Sequence, residues 1–130
     1  NRIVLCEDSI VRGTQLRNLT LVKLWDAGAT EVHVRVACPP LMFPCIYNLS
    51  TRSADELAAR RAIRDLDAED AGDLTPCLDE STRQYRDMVE WIRRDIKATS
   101  LSYLTLEEMV GAIGLPHSDL CTYCWNGCRD

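Results

Sequence analysis

The chain has 130 residues, of which 46% are apolar and 27% charged, and its formal net charge is -5. This length suits one domain with a core of ordinary size. No stretch is long and apolar enough to span a membrane, and the acidic balance argues against a nucleic-acid groove. Seven cysteines with no recognisable secretion signal favour a metal or cluster site and buried thiols over disulfides, which predicts a cytoplasmic protein.

The N-terminal stretch Ile3–Gln15 predicts a strand, an acidic pair, a glycine-bearing loop and the start of a helix. Ile3-Val4-Leu5 form the unbroken apolar run of a buried strand. Glu7 and Asp8 follow where that strand should end, and loop 9–14 leads into a helical pattern. This order places polar chemistry at a helix N-terminus.

Loop 9–14 has the features of a phosphate site. Backbone N–H groups at a helix start have no internal partners, the helix dipole adds positive charge, and Gly13 lets the backbone curl around an anion. The carboxylates of Glu7 and Asp8 would repel a bare phosphate but would accept hydrogen bonds from neighbouring sugar hydroxyls. We therefore predict a ribose 5-phosphate ligand; the alternative is a strand-to-helix turn that binds nothing.

The following residues complete a predicted β-α-β unit. Gln15–Ala27 predicts an amphipathic helix that ends at Gly28 and packs on a sheet. Glu31–Ala37 alternates valines with polar residues, which predicts a strand reached by a right-handed crossover. Leu41–Leu49 is apolar but interrupted by proline, which predicts an irregular segment. The apolar face of the helix comprises Leu16, Leu19, Val22 and Trp25, widened by Leu21 and Leu24.

Capping-box patterns predict three helix starts in the second half of the chain. They are Ser53 with Glu56, Ser81 with Gln84, and Thr105 with Glu108. The first helix is expected to reach about Leu66, a loop or weak helical turn to fill 67–80, and a short strand to fill Ser100–Leu104; Gly114 should end the last helix. The second helix carries Tyr85, Met88, Val89, Ile92 and Ile96 at helical spacing, a stripe that we assign to the core.

The C-terminal tail carries Cys121, Cys124 and Cys128. A C-x-x-C spacing lets two thiolates converge on one ion or cluster. Redox pairs, zinc knuckles and iron–sulfur ligands all use this spacing, and ordinary thiols near a terminus are a further alternative.

The stretch C-E-D-S-I-V-R-G-T, from Cys6 to Thr14, resembles the phosphoribosyl pyrophosphate motif of the phosphoribosyltransferases. The sequence D-S-I-V-R-G-T most resembles that of the amidophosphoribosyltransferases, although Glu7 occupies a position where that family usually has an aspartate. The resemblance covers essentially all 130 residues but only the second half of the family's transferase part. It implies an α/β fold with a partial parallel sheet flanked by helices and a helical, cysteine-containing C-terminal portion. The implied substrate-binding residues are Glu7, Asp8, Ser9, Ile10, Val11, Arg12, Gly13 and Thr14, with Glu7 and Asp8 also near a magnesium ion.

A second resemblance concerns the cysteines. The segment P-P-L-M-F-P-C-I-Y and the tail C-T-Y-C-W-N-G resemble stretches of those amidophosphoribosyltransferases that carry a [4Fe-4S] cluster. Cys45, Cys121 and Cys124 match three ligand positions, and the fourth lies upstream in the family. Cys128, solvent or another ligand could replace it, and zinc could replace a lost cluster. The remaining cysteines Cys6, Cys38 and Cys77 match no ligand position, with Cys38 the nearest substitute.

The family makes 5-phosphoribosylamine from phosphoribosyl pyrophosphate and ammonia, which an N-terminal glutaminase part releases from glutamine, in the first step of de novo purine synthesis. Because no Met precedes Asn1, we interpret the chain as a piece of a longer protein. We expect three parts, 1–50 with the phosphoribosyl loop, 51–114 mainly helical, and 115–130 with the cysteines. The piece should position the sugar, bind it weakly and show no turnover.

Two other functional classes stay open. A regulator that reuses the phosphoribosyltransferase fold would keep the loop but would not need the C-x-x-C tail, and a zinc-knuckle interaction module would leave the acidic pair unexplained. His33 and His117 are interpreted as structural or solvated. Part of a parallel sheet should leave an unpaired edge and an uncovered apolar face, so we expect a homo-oligomer.

Overall fold

The computed structural model describes residues 1–49, 51–66 and 72–128. The three strands in this part of the chain pair in parallel in the order β1-β2-β3, where β1 is Arg2–Glu7, β2 is Glu31–Val36 and β3 is Ser100–Tyr103. Val34 in the central strand lies opposite Leu5 on one side and Leu101 on the other. The predicted α/β class and its β-α-β unit are confirmed.

The helices lie between and after the strands. They are α1 (Leu21–Asp26), α2 (Ala58–Leu66), α3 (Thr75–Leu78), α4 (Arg83–Ile96), α5 (Leu106–Ile113) and α6 (Tyr123–Asn126), with short 3-10 turns at Ala54–Glu56 and His117–Asp119. Positions 67–71 of the predicted loop lie outside the described residues, and α3 is the helical turn expected in its remainder. No helix of the described residues has the length and apolarity needed to cross a membrane.

The core lies on one face of the sheet. Both crossovers lead to the next strand in the same direction, so right-handed connections bring their helices to the same side. Val32 and Val34 of β2 are fully buried there, in one cluster with Met88, Ile92 and Ile96 of α4. The stripe that the sequence assigned to the core is therefore core.

A π-helical turn, Leu16–Thr20, precedes α1 and changes which side chains face the core. A π turn holds one residue more than an α turn, so the side chains after it are rotated around the helix axis. The predicted apolar face included Leu19 and Val22, but both are exposed, whereas Leu16 and Leu21 are buried. The prediction was wrong at those two positions because it assumed an uninterrupted α-helical period.

Two of the helix starts follow hydroxyl caps. The Thr105 hydroxyl accepts the N–H of Glu108, whose carboxylate accepts the N–H of Thr105, so the predicted capping box is confirmed. At α4 the cap is Thr82, one residue later than predicted. The reason is that both the N–H and the hydroxyl of Ser81 bind the carboxylate of Asp79.

The pattern at Ser53 does not form the predicted capping box. The Ser53 hydroxyl accepts the N–H of Asp55 at 3.2 Å and opens a 3-10 turn, and α2 begins later, at Ala58. The carboxylate of Glu56, which was expected to fold back onto the helix start, binds the side chain of Arg12 instead.

The face of the sheet opposite the core is open and mostly polar. His33 Nδ1 lies 2.8 Å from Ser100 Oγ, His33 Nε2 lies 2.8 Å from Glu31 Oε2, and Arg35 donates to Ser100 Oγ at 3.0 Å. Val4, 65% exposed, is the large apolar side chain on this face. The prediction of an uncovered apolar face was wrong, and self-association stays a prediction.

Candidate functional site

A cavity of about 580 Å³ opens where β1 ends and the first helix begins. The carboxyl end of a strand in a parallel sheet is where open α/β proteins commonly place their ligands. All eight residues predicted to bind the sugar phosphate lie on its wall, although binding stays a prediction. The wall consists of Glu7, Asp8, Ser9, Ile10, Val11, Arg12, Gly13, Thr14, Gln15, Leu16, Leu19 and Thr20.

Glu7 and Asp8 form the acidic side of the cavity. The Asp8 carboxylate accepts the N–H of Ser9 at 2.6 Å, which turns the chain away from β1. Burial, and then the negative charge of Asp8, raise the pKa of Glu7 above its ordinary value. Two adjacent carboxylates of this kind are good acceptors for hydroxyl groups and poor neighbours for a second anion.

Gly13 forms the turn into the helix. Its φ is +74°, in the left-handed region that side chains disfavour, and its carbonyl accepts the N–H of Arg17 at 2.9 Å. A Cβ at this position would lie 3.3 Å from Ile96 Cγ2 of α4. The loop therefore approaches α4 closely, and this approach depends on a residue without a side chain.

Arg12 reaches across the loop to Glu56. Its Nε and Nη2 donate to the same carboxylate oxygen at 3.0 and 2.5 Å, and both side chains are partly exposed. The sequence pattern predicted a helix-cap role for Glu56 and gave no indication of this ion pair. No local pattern links Glu56 to Arg12, because the two residues are 44 positions apart and meet only in the folded chain.

Helix α2 also holds the backbone of the loop. The N–H of Ala58 donates to the carbonyl of Val11 at 2.8 Å, and the guanidinium of Arg61 donates to the carbonyl of Arg12 at 2.7 Å. Neither Ala58 nor Arg61 is part of any motif in the sequence. The loop is thus fixed from outside the motif by a helix whose Arg61 lies 49 positions after Arg12.

The cysteine tail docks on the proline-containing segment through backbone hydrogen bonds. The carbonyl of Cys124 accepts the N–H groups of both Met42 and Phe43, at 2.9 and 3.0 Å. The Phe43 ring packs against Tyr123, with ring centroids 5.8 Å apart. A Cβ on Gly127 would lie 2.8 Å from the Phe43 ring, so the close packing requires glycine there.

This docking brings Cys45 and Cys124 close enough for each thiol to affect the pKa of the other. Backbone N–H groups, chiefly those of Leu49 and Tyr47, and the Cys124 thiol lower the pKa of Cys45. Burial, and then Cys45 and Cys121, raise the pKa of Cys124. Across the described ranges, however, no group of three or more His, Cys, Asp and Glu side chains is arranged to hold a metal ion.

The other cysteines differ in their surroundings. Cys128 is exposed and lines a surface depression of about 600 Å³ together with Cys121. Cys38 is buried, which raises the pKa of its thiol, and it faces the indole N–H of Trp125. That buried N–H makes no hydrogen bond of normal geometry to the described residues, and the Cys38 thiol is the polar group that it faces. Cys77 is buried and Cys6 is exposed.

Neither histidine lies at the cavity. His33 belongs to the polar network on the open sheet face. His117 Nε2 lies 3.2 Å from the hydroxyl of Thr122, a buried residue at the start of α6. Both are structural in the described contacts, in agreement with their interpretation from the sequence.

No family model matches the chain. Curated relatives match it along nearly its whole length. It is 40% identical over 126 residues to amidophosphoribosyltransferase of Methanothermobacter thermautotrophicus, covering 97% of this chain and 21% of that protein. The Mycobacterium tuberculosis amidophosphoribosyltransferase is 37% identical over 126 residues, with 97% and 20% covered, and that of Bacillus subtilis 34% identical over 130 residues, with 97% and 22% covered.

The fold agrees with these matches. The solved structure of glutamine phosphoribosylpyrophosphate amidotransferase from B. subtilis, complexed with ADP and GMP, superposes with a TM-score of 0.68 and 34% identity. The match covers 98% of this chain and 23% of that one. The chain spans about one fifth of the length of the curated relatives it matches.

Proposed function

Because nearly the whole chain is homologous to one segment of the amidophosphoribosyltransferases, we propose that it is the phosphoribosyl-binding part of such an enzyme. The enzyme would be a glycosyltransferase that makes 5-phosphoribosylamine from phosphoribosyl pyrophosphate and glutamine-derived ammonia, in the cytoplasm. The observation that supports this most is the cavity walled by 7–14, in which an acidic pair and a phosphate-type loop face one space.

In the proposed binding mode the 5-phosphate lies in loop 9–14 and the ribose hydroxyls donate to Glu7 and Asp8. Displacement of pyrophosphate at C1 passes through a centre with developing positive charge. Rigid placement of the sugar lowers the barrier by positioning, and the carboxylates stabilise the developing cation. The role proposed for the described residues of the cavity is therefore to bind and orient the substrate.

We propose that a magnesium ion binds together with the substrate. Mg²⁺ is commonly bound by one or two carboxylates together with substrate phosphates rather than by an all-protein cage. Glu7 and Asp8 fit that donor chemistry, because they are two adjacent oxygen ligands at the rim of the cavity.

The remaining parts of the reaction belong to the rest of the proposed enzyme. An N-terminal glutaminase part would supply ammonia, and further segments would contact the pyrophosphate and exclude water. By itself the chain should bind ribose 5-phosphate without turnover. Formation of phosphoribosylamine from ammonia by the isolated chain would contradict this part of the proposal.

We also propose that Cys45, Cys121 and Cys124 are ligands of a [4Fe-4S] cluster, with Cys128 or a ligand from elsewhere as the fourth. Thiolates are the donors that iron–sulfur clusters and zinc prefer. The packing of the tail on 42–43 and the mutual effects of the thiols on their pKa values support the proposal. The cluster would join two distant segments of the chain, and no step of the transfer runs through it.

The binding proposal is tested by titrating isotopically labelled chain with ribose 5-phosphate and following the amide signals by NMR. We expect saturable shifts of residues that line the cavity. Glu7→Gln and Asp8→Asn should weaken ribose 5-phosphate binding but strengthen the binding of inorganic phosphate, because the sugar contacts are lost together with the negative charge that repels a bare anion. A titration without shifts at the cavity, or equal losses for both ligands, would contradict it. Tighter binding of a purine base than of the sugar phosphate would favour a regulator.

A further inference from the structure

The Arg61 side chain is held in one position by three contacts. Its guanidinium carbon lies 5.6 Å from the centre of the Trp91 ring, and its Nη2 lies 3.3 Å from an oxygen of Asp95. The same Nη2 donates to the carbonyl of Arg12 at 2.7 Å. A guanidinium stacked on an aromatic ring and paired with a carboxylate loses little further entropy when it donates to a carbonyl. Arg61 is thus preorganised to hold the loop.

Asp95 connects both ends of the loop. Its second oxygen accepts from Arg17 Nη1 at 2.8 Å, and Arg17 lies in the π-helical turn that follows the loop. The Asp95 side chain is 17% exposed, so these pairs are less screened than surface pairs. Through Asp95, helix α4 fixes Arg61, which holds Arg12, and also fixes the helix that follows Gly13.

The direction of two amide groups follows from these contacts. In a trans peptide unit the carbonyl and the next N–H point to opposite sides. The carbonyl of Val11 is bound by Ala58 and that of Arg12 by Arg61, both from α2. The N–H groups of Arg12 and Gly13 therefore point away from α2, and no hydrogen bond from either is found among the described residues. Two successive free N–H groups make the concave arrangement that binds anions.

We propose that Arg61, held by Asp95, is a positioning residue that fixes the Arg12 and Gly13 amides for the sugar phosphate. This inference rests on the proposed function, since the ligand is the same. Arg61 does not touch the substrate; it acts through the peptide planes of the loop. The structure thus assigns part of the phosphate site to side chains outside the recognisable motif.

The test compares Arg61→Met with Arg64→Met, a matched arginine on the same helix that pairs only loosely, at 3.6 Å, with Asp55. The dissociation constant for ribose 5-phosphate and the amide shifts of Arg12 and Gly13 are measured by NMR. We expect Arg61→Met to weaken binding roughly tenfold to a hundredfold, the size of effect that misplacement of a binding group produces, and to reduce the amide shifts. Arg64→Met should bind as the parent chain does. Arg61→Lys should restore part of the affinity, because lysine keeps the charge and one donor.

The outcomes are distinguishable. If the parent chain does not bind ribose 5-phosphate, the proposed function fails. If the parent chain binds and a folded Arg61→Met variant binds equally well, the positioning role fails while the function stands. Should Arg61→Met not fold, Asp95→Asn decides, since it keeps Arg61 but removes the charge that holds it. Weaker binding with unchanged amide shifts would also overturn the inference, because it would show a merely electrostatic effect.

Discussion

Arg12 and Glu56 form an ion pair between residues 44 positions apart in the sequence, one in the phosphate-type loop and one beside α2. Both side chains are about half exposed, so the pair contributes less than about 1 kcal/mol to stability. Its greater effect is on charge, because it neutralises the basic side chain that borders the cavity.

Removal of the Glu56 charge should therefore strengthen anion binding. We expect Glu56→Gln to tighten ribose 5-phosphate binding about twofold to fivefold at low salt, and the gain to shrink as ionic strength rises and screening shortens the range of the Arg12 charge. Calorimetric titration at two salt concentrations measures this. Asp55→Asn, an exposed neighbour that pairs at 3.6 Å with Arg64 rather than Arg12, is the matched control. Weaker binding by Glu56→Gln would show that Glu56 holds Arg12 in place instead.

Gly13→Ala should damage both stability and binding. Its φ of +74° costs a side chain about 1–2 kcal/mol, and the new Cβ would lie 3.3 Å from Ile96. Denaturant unfolding measures the first effect and titration with ribose 5-phosphate the second. The control is Gly111→Ala in α5, where no atom lies within 4 Å of an added Cβ, and where alanine should raise stability by about 0.5–1 kcal/mol. Equal stabilities of both variants would contradict the left-handed turn.

Much of the fold could be predicted because its signals are local. The valines of β2, the stripe on α4 and the Thr105 box depend on neighbours a few residues apart, and all three are present. The residues that line the candidate site could also be predicted, because residues 7–14, which are consecutive in the sequence, form much of its wall.

The sequence-based predictions fail where the structure depends on a competing or distant hydrogen-bond partner. Ser81 and Thr82 are equally suited to cap α4, and the carboxylate of Asp79 selects between them by binding Ser81. The π turn at Leu16–Thr20 rotates the buried face of the following helix by one residue, and no local sequence pattern predicts this turn. Arg61 and Glu56 reach the loop only after α2 packs beside it, so no pattern of spacing could assign them.

Glu90 should make stability depend on pH in the acid range. Hydrogen bonds from Arg93, and also from Arg94, lower the pKa of Glu90 from 4.5 to about 2. A folded-state pKa below the unfolded one stabilises the fold above pH 4.5, and this contribution is lost as the pH falls from about 4.5 towards 2. Because Glu90 is partly exposed, we expect at most about 1 kcal/mol.

The measurement is the difference in melting temperature between the parent chain and Glu90→Gln as a function of pH. The parent should be more stable at neutral pH, and the difference should vanish towards pH 2. Glu80→Gln, which removes the same charge at an exposed position before α4, serves as the control. A difference that is independent of pH would argue against the Arg93 and Arg94 bonds in solution.

Cys45, Cys121 and Cys124 should together bind one metal centre when iron and sulfide, or zinc, are supplied. Under anaerobic conditions with iron and sulfide, we expect the chain to acquire a brown colour with matching iron and sulfide contents, and with zinc alone to bind a colourless ion. Cys45→Ser or Cys124→Ser should abolish either product, because these two thiols affect each other's pKa where the tail meets the rest of the chain. Cys77→Ser, at a buried thiol in α3, is the control and should retain the metal. Loss of metal from the Cys128→Ser variant as well would identify the fourth ligand, whereas full metal content in Cys45→Ser would rule out a centre that joins the two segments.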